Sequence, residues 1–278
     1  MSQSWDLSGV FLKLERAETH IQTLRDEIAV FLDRGPKPFG FRPKETPGPQ
    51  QSVKYDLYAI VREEPPRELA LPVGDAIQNI RSALDHLVYE LAPPSVRRKR
   101  GTQFPIFTDE CEFKVLSPPM IRGLGQNERT LIQRVQPYAA TNVPSDDPLA
   151  VLSKLSNLDK HRLLVPMIAA VSETDSWVAS DNADVRFTYL SRQPVVHDTK
   201  IVSFTATPKD TAVDMKVHPQ SGLEIQIDKT GIVGYTIGAV RLLEMIHWHV
   251  RQTVIGHWFE RGVMPLTWAD VQAAQSSD

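Results

Sequence analysis

Helical periodicity dominates the first part of the chain. Between Val10 and Phe31, apolar residues alternate spacings of three and four, with charged residues in the gaps, which predicts a long amphipathic helix over 8–34. The same pattern predicts a second helix over 73–92, ended by two prolines. Asp147 followed by Pro148 is typical of a helix start, so we expect a third helix from there toward residue 164.

In other regions, apolar and polar residues alternate with a period of two. One alternating stretch predicts a strand over 52–62, preceded by a Gly/Pro-rich stretch, 36–51, that we expect to be irregular. Four alternating stretches between residues 185 and 227 predict a small antiparallel sheet. Helical spacing returns from residue 231 to about 261.

These patterns predict an α+β, mainly α fold, in which a helical bundle carries a small antiparallel sheet inserted before the C-terminal helix. The expected segments are a helical core over 1–170, including the strand near 52–62, then a β insertion over 171–229, then a C-terminal helix within 230–278 that rejoins the bundle. We expect this last helix to pack on the first one, because each has one apolar face to bury.

Composition narrows the classes of function. The chain has 278 residues, 41% of them hydrophobic, and a formal net charge of −3, so any contact with nucleic acid requires a local basic patch. One run of four cations is a candidate for RNA binding: Arg97, Arg98, Lys99 and Arg100. A single cysteine, Cys111, and the absence of a long apolar run lead us to expect a cytoplasmic protein that does not span a membrane.

The second helix carries a stripe of short polar residues opposite its apolar face. At roughly 100° per residue, four side chains fall in a narrow arc: Asp75, Asn79, Ser82 and His86. These residue types are poor helix formers, which indicates a specific role. The stripe is a candidate catalytic site, and the alternative is a hydrogen-bond network that fixes how two helices pack.

Within this helix, Arg81 is followed after four residues by His86, in the segment RSALDH. Here the sequence resembles the HEPN superfamily of helical-bundle nucleases and nucleotide-binding proteins. The resemblance implies a metal-independent endoribonuclease, in which His86 moves protons and Arg81 stabilises phosphate charge. It also implies a homodimer, since a five-residue offset separates the two side chains by roughly 140° around one helix. The family commonly has Asn, Asp or His after the Arg, whereas this chain has Ser82.

A second candidate site lies in the segment NLDKHR, with Asn157, Asp159, Lys160 and His161. Together with RSALDH, FPIF at 104–107 and QPY at 136–138, this segment resembles an uncharacterised group of bacterial proteins that have comparable segments in the same order. The alternative is a charged helix end, with the cations placed favourably against the helix dipole.

The leading hypothesis from sequence is therefore a HEPN-like, metal-independent ribonuclease or RNA-binding protein, acting as a homodimer in defence or stress response. We expect no cofactor and no metal, because no glycine-rich phosphate loop or cysteine-based metal motif is present. Two alternatives stay open. One is a non-catalytic helical interaction module, and the other is a metal-dependent hydrolase that uses His86, Asp75 and His161.

Overall fold

The computed structural model describes residues 5–97, 102–170, 177–191, 193–220, 222–227 and 237–256. Helices and strands both occur in the first quarter of the chain and again near its end. The helices are α1 (Ser8–Leu32), α2 (Ala70–Leu91), α3 (Pro94–Arg97), α4 (Glu110–Leu116), α5 (Gln126–Arg134), α6 (Pro137–Ala140), α7 (Pro148–Asp159) and α8 (Ala239–Trp248), with a π-helical segment, His249–Ile255, continuing α8. The strands are β1 (Phe39–Pro47), β2 (Val53–Val61), β3 (Pro166–Ala170), β4 (Val178–Asp181), β5 (Ala183–Leu190), β6 (Lys200–Pro208), β7 (Lys216–Pro219) and β8 (Leu223–Ile227).

The long helices form where the apolar periodicity predicts them. α7 begins as expected, because the side chain of Asp147 accepts a hydrogen bond from the Leu149 N–H at 2.8 Å and Pro148 occupies the first helical position. It ends at Asp159, earlier than expected, and β3 follows after a short turn. None of the helices in the described residues combines the length and the apolarity that crossing a membrane requires.

The predicted helical bundle with one small inserted sheet is wrong. The strands form an antiparallel four-stranded sheet in the order β1-β2-β6-β5 and two separate two-stranded sheets, β3-β8 and β4-β7. The larger sheet combines strands from before α2 with strands from beyond residue 177. The fold is α+β, and the sheet is a principal element of it rather than an excursion from a helical core.

β1 explains the error, because it lies in the Gly/Pro-rich stretch that was expected to be irregular. It is an edge strand that pairs only with β2, with Pro43 opposite Leu57 and Pro47 opposite Val53. Proline lacks the N–H that a central strand must donate, but an edge strand tolerates it. Most of β1 is exposed, so its sequence also lacks the buried-exposed alternation that identifies a strand.

The chain divides into two compact units. The helical unit comprises the described residues of Met1–Ile21, Gly74–Arg162 and Leu243–Asp278. The sheet unit comprises those of Gln22–Val73 and Leu163–Leu242. The strand pair at 39–61 therefore belongs with the strands beyond residue 163, whereas the pattern of the sequence predicts it within the first segment, 1–170.

Each unit has its own core. In the sheet unit, Leu57 of β2 is fully buried, and the rings of Tyr55 and Phe204 stack with their centroids 5.0 Å apart. In the helical unit, the buried face of α1 includes Leu14, whose carbonyl lies 3.1 Å from Nε2 of the buried His247 on α8. The end of α8 therefore contacts α1 within the helical unit.

Replacing Leu57 by Ala tests whether β2 is central to the sheet unit. The substitution removes fully buried methyl groups and is expected to lower the free energy of unfolding by about 2–5 kcal/mol, measured by urea denaturation. Val196→Ala is the matched control, because Val196 is 60% exposed and the change is expected to stay within about 0.5 kcal/mol. Equal effects of the two substitutions would contradict the assignment of β2 to the core.

Candidate functional site

The polar side chains of α2 form two adjacent lines. The first is the stripe from the sequence analysis, Asp75, Asn79, Ser82 and His86, and the second consists of Gln78, Arg81, Ser82 and Asp85. At roughly 100° per residue, the two lines lie about 80° apart around the helix and share Ser82. Because of this angle, the two lines have different surroundings.

The first line lies against α1. A Cβ at Gly9 would be 3.1 Å from Nδ1 of His86, and Nδ1 of His20 lies 3.8 Å from Oδ2 of Asp75. These two contacts show that α1 and α2 run antiparallel. The Asp75 side chain is 62% exposed and His86 is exposed, so both ends of the line face solvent.

The two contacts also fix which residues of α1 face this line. Spacings of four, three and four place Lys13 and Arg16 between Gly9 and His20 on one side of α1. We call the whole feature the α1–α2 seam, defined by Gly9, Lys13, Arg16 and His20 of α1 together with Asp75, Asn79, Ser82 and His86 of α2. Within the described part of the chain, neither Lys13 nor Arg16 forms an ion pair.

Arg81 does not share a site with His86. Its Nη2 donates a hydrogen bond to the Phe104 carbonyl at 2.7 Å and lies 3.1 Å from Oδ1 of Asp85. The Arg81 side chain is only 15% exposed, and burial lowers its pKa, an effect that Asp85 opposes. Arg81 therefore positions a segment of the protein, and in this arrangement its guanidinium is not free to bind a phosphate beside His86.

Asp85 completes the same contact from one helical turn away. Its Oδ1 accepts a hydrogen bond from the Phe104 N–H at 2.8 Å, so Arg81 and Asp85 together bind both polar groups of one backbone residue. Burial raises the pKa of Asp85, and the neighbouring guanidinium and the Phe104 N–H limit the rise. We call this arrangement the Phe104 clamp, formed by Arg81, Asp85 and the backbone of Phe104.

Gln136 holds the same segment from another side. It is fully buried, and its side-chain amide accepts from the Phe107 N–H at 3.0 Å. It also donates to the carbonyls of Pro105 at 2.9 Å and Ile132 at 3.1 Å. A loop backbone that is buried needs partners for its polar groups, and here side chains supply them. The segment Phe104–Phe107, which forms neither helix nor strand, is thus held in place within the helical unit.

A cavity of about 430 Å³ lies between α2, this segment and α7. Its walls are polar on the helices and mostly apolar on the segment. The lining residues are Gln78, Arg81, Ser82 and Asp85 of α2, Gln103, Phe104, Ile106, Phe107 and Met120 from the chain between α3 and α5, and Ser153, Ser156, Asn157 and Lys160 at α7. Its volume is in the range of small-molecule sites, about 300–1,000 Å³.

The second predicted site is divided between this cavity and the surface. Asn157 and Lys160 line the cavity. Asp159 accepts a hydrogen bond from Nε2 of Gln78 at 3.1 Å, and its Oδ1 would lie 2.6 Å from a Cβ at Gly74. His161 is exposed and is not among the lining residues. The segments RSALDH, FPIF and NLDKHR each contribute to the cavity wall, and QPY supplies Gln136 behind it.

The predicted basic patch is only partly described. Arg97 binds to groups at the C-terminal end of α2. Its Nε donates to the Ala92 carbonyl at 2.8 Å, and its Nη1 lies 3.1 Å from Oε2 of Glu90. Its guanidinium also lies over the Tyr89 ring, 5.3 Å from the centroid. These contacts indicate a structural role for Arg97. Arg98, Lys99 and Arg100 lie outside the described residues.

The proposed metal site of His86, Asp75 and His161 is not formed. Asp75 and His86 are eleven residues apart on one helix, which corresponds to roughly 16 Å along its axis, too far to ligate one ion. Among the described residues, no group of three His, Cys, Asp or Glu side chains is arranged to hold a metal. The geometry therefore argues against a metal site formed by these three residues.

Sequence reasoning missed several residues of the cavity, although a signal was present. Gln78 and Asp85 flank Arg81 at spacings of three and four, the spacing of neighbours on one helix face. On α7, Ser153, Ser156, Asn157 and Lys160 follow the same spacing within a helix that otherwise buries leucine. Gln103 and Met120 lie outside helices and carry no such periodic signal.

No protein-family profile, no curated protein and no solved structure matches this chain.

The Phe104 clamp predicts an energetic coupling between Arg81 and Asp85. Removing either side chain leaves the other without its partner, so Arg81→Met and Asp85→Leu are each expected to lower the free energy of unfolding by about 1–3 kcal/mol. In the double variant both charges are absent, and the loss is expected to fall short of the sum by at least about 0.5 kcal/mol. Urea unfolding of the four proteins gives this difference.

The exposed pair Glu110 and Lys114 provides the matched control, since it has the same spacing and a separation of 2.8 Å. The same cycle with Glu110→Leu and Lys114→Met is expected to show a coupling of no more than about 0.5 kcal/mol. Additive effects of Arg81→Met and Asp85→Leu would refute the clamp.

Proposed function

We propose that this protein binds single-stranded RNA, with the phosphates of the strand lying along the α1–α2 seam. The observation that supports this most directly is the pair of cations at its centre, Lys13 and Arg16, which have no carboxylate partner among the described residues. Phosphate contacts by such side chains supply most of the sequence-independent affinity for a nucleic acid.

The distribution of charge on α1 supports the same function. The acidic residues Glu15 and Glu18 fall roughly 120–180° away from the line of Gly9, Lys13, Arg16 and His20 around the helix. In a chain with a formal net charge of −3, this separation produces a local positive stripe. Lys13 and Arg16 are separated by roughly 4.5 Å along the axis and Arg16 and His20 by roughly 6 Å, so the stripe can contact successive phosphates.

The α2 side of the seam provides neutral hydrogen-bonding groups. Asn79 is half-buried and donates to the Asp75 carbonyl at 2.8 Å, and Ser82 is half-buried beside it on the same line. Such groups hydrogen-bond phosphate and ribose oxygens without adding a charge that repels the strand. The one carboxylate on the seam, Asp75, lies next to His20 at one end.

Binding is favoured over cleavage as the function of a single chain. Arg81 is held in the Phe104 clamp, and His20 and His86 lie at opposite ends of the seam, roughly 16 Å apart along the helix axes. One phosphate cannot contact both imidazoles, so one chain lacks a paired general acid and base. The metal-independent ribonuclease remains a second candidate, supported by the exposure of His86 on the seam.

We extend the proposal to a homodimer in the cytoplasm. The resemblance to HEPN proteins supports the homodimer. The presence of a single cysteine in the sequence supports the cytoplasmic location.

Removing the two central cations should weaken RNA binding in a salt-dependent way. For the double variant Lys13→Ala/Arg16→Ala, the slope of log affinity against log salt is expected to become shallower by about 1.4, since each phosphate contact on a single strand contributes about 0.7. Fluorescence anisotropy with a labelled single-stranded RNA, between about 50 and 200 mM salt, measures this slope.

The control double variant Lys114→Ala/Lys209→Ala changes the net charge equally, at two exposed lysines outside the seam. Its slope should match that of the wild-type protein. An unchanged slope in the seam variant would contradict the proposed function. The same samples, incubated with EDTA and separated by electrophoresis, should contain intact RNA, whereas cleavage that is lost in His86→Ala would establish the ribonuclease instead.

A further inference from the structure

The cavity beside the α1–α2 seam contains a buried hydroxyl that lacks a partner. Ser156 is 2% exposed, lines the cavity, and its Oγ has no hydrogen-bond partner among the described residues. A buried polar group left unpaired costs about 1–3 kcal/mol, and among the described residues that line the cavity Ser156 has the one such side chain. We propose that the cavity binds one nucleobase, and that Ser156 hydrogen-bonds to it.

The side-chain amide of Gln78, which also lines the cavity, is held by a hydrogen bond. Its Nε2 donates to Oδ2 of Asp159 at 3.1 Å, and the close approach of Gly74 confines the Asp159 carboxylate. Gln78 lines the cavity and its Oε1 has no hydrogen-bond partner among the described residues, so this oxygen can accept a hydrogen bond from a ligand. The cavity thus offers an oriented acceptor on α2 and a buried hydroxyl on α7, the kind of pattern that recognises the edge of a base.

The charge of the cavity favours a neutral ligand at its interior. Arg81 and Asp85 compensate each other, and both are already bonded to the Phe104 backbone. Lys160 is exposed and lines the cavity, so a charged part of a ligand would lie at this residue rather than inside.

The remaining wall suits a flat, partly apolar ring. Ile106, Phe107 and Met120 line the cavity of about 430 Å³, whereas Phe104 is fully buried and its ring offers no surface to a ligand. Aromatic and apolar side chains of this kind stack on bases that have left a helix or belong to a single strand.

Ser82 connects the cavity to the α1–α2 seam, because it belongs to both. A strand with its phosphates on the seam can therefore insert one base into the cavity past Ser82. This part of the inference rests on the proposed function, whereas binding of a base to the cavity does not.

The test compares a single-stranded RNA of about eight nucleotides with an abasic strand of the same length. Wild-type protein should bind the full strand about 5- to 100-fold more tightly than the abasic one. In Ser156→Val, which removes the hydroxyl and narrows the cavity, this ratio should fall toward one. Gln78→Leu should have the same effect and provides the test if Ser156→Val fails to fold. Ser180→Val, at an exposed serine of β4, is the matched control and should keep the ratio.

Two further measurements separate this inference from the proposed function. Lys13→Ala/Arg16→Ala should weaken the binding of both strands while keeping their ratio. Titration of the wild-type protein with nucleoside monophosphates, followed by NMR, tests the cavity without a strand. If monophosphates bind and Ser156→Val abolishes their binding, the cavity is a base site even where RNA binding fails. No preference for the full strand together with no monophosphate binding, or a ratio that both cavity variants leave unchanged, would overturn the inference.

Discussion

The candidate site depends on the two hydrogen bonds that the backbone of Phe104 forms with side chains of α2. Asp85 accepts the N–H of Phe104 and Arg81 donates to its carbonyl, from positions one turn apart on α2. A charged group that is mostly removed from water is costly unless it is paired and hydrogen-bonded, and the clamp meets both conditions at once. Because the loop carries no helical or sheet hydrogen bonds of its own at Phe104, these side chains decide where its apolar residues lie.

The cavity follows from this constraint. With Phe104 fixed to α2 and Phe107 fixed by Gln136, Ile106 and Phe107 line the cavity. The polar side chains of α2 and α7 then face an apolar wall across a gap that the protein itself does not fill. The clamp also explains why the interior of the cavity is neutral. Arg81 and Asp85 are the only charged residues of α2 that line the cavity, and they pair with each other and hydrogen-bond to the Phe104 backbone.

The α1–α2 seam and the cavity share one residue of α2, Ser82. Ser82 lies where the two polar lines of α2 meet, so a ligand can extend from one feature into the other. The pair of Arg81 and His86, on which the resemblance to HEPN proteins rests, is divided by the same geometry. Its arginine belongs to the cavity side and its histidine to the seam side, which is why the motif does not form a catalytic pair within one chain.

Much of the helical framework could be predicted from sequence, because a long apolar period has few alternatives. The polar stripe of α2 was also predictable. Its 4-3-4 spacing recurs on α1 at Gly9, Lys13, Arg16 and His20, which could have indicated the other side of the seam. β1 could not be predicted from its pattern, since an exposed edge strand with prolines lacks both the period and the composition of a strand. The role of Arg81 depends on Phe104, 23 residues away, and such a contact has no local signal.

Amide hydrogen exchange at Phe104 tests the clamp most directly. The backbone N–H of Phe104 should exchange much more slowly than that of Thr108, which lies in the same stretch, is exposed and has no hydrogen bond within the described residues. In Asp85→Leu this protection should be lost at Phe104 while the Phe107 N–H, bonded to Gln136, stays protected. Exchange at Phe104 as fast as at Thr108 in the wild-type protein would contradict the account.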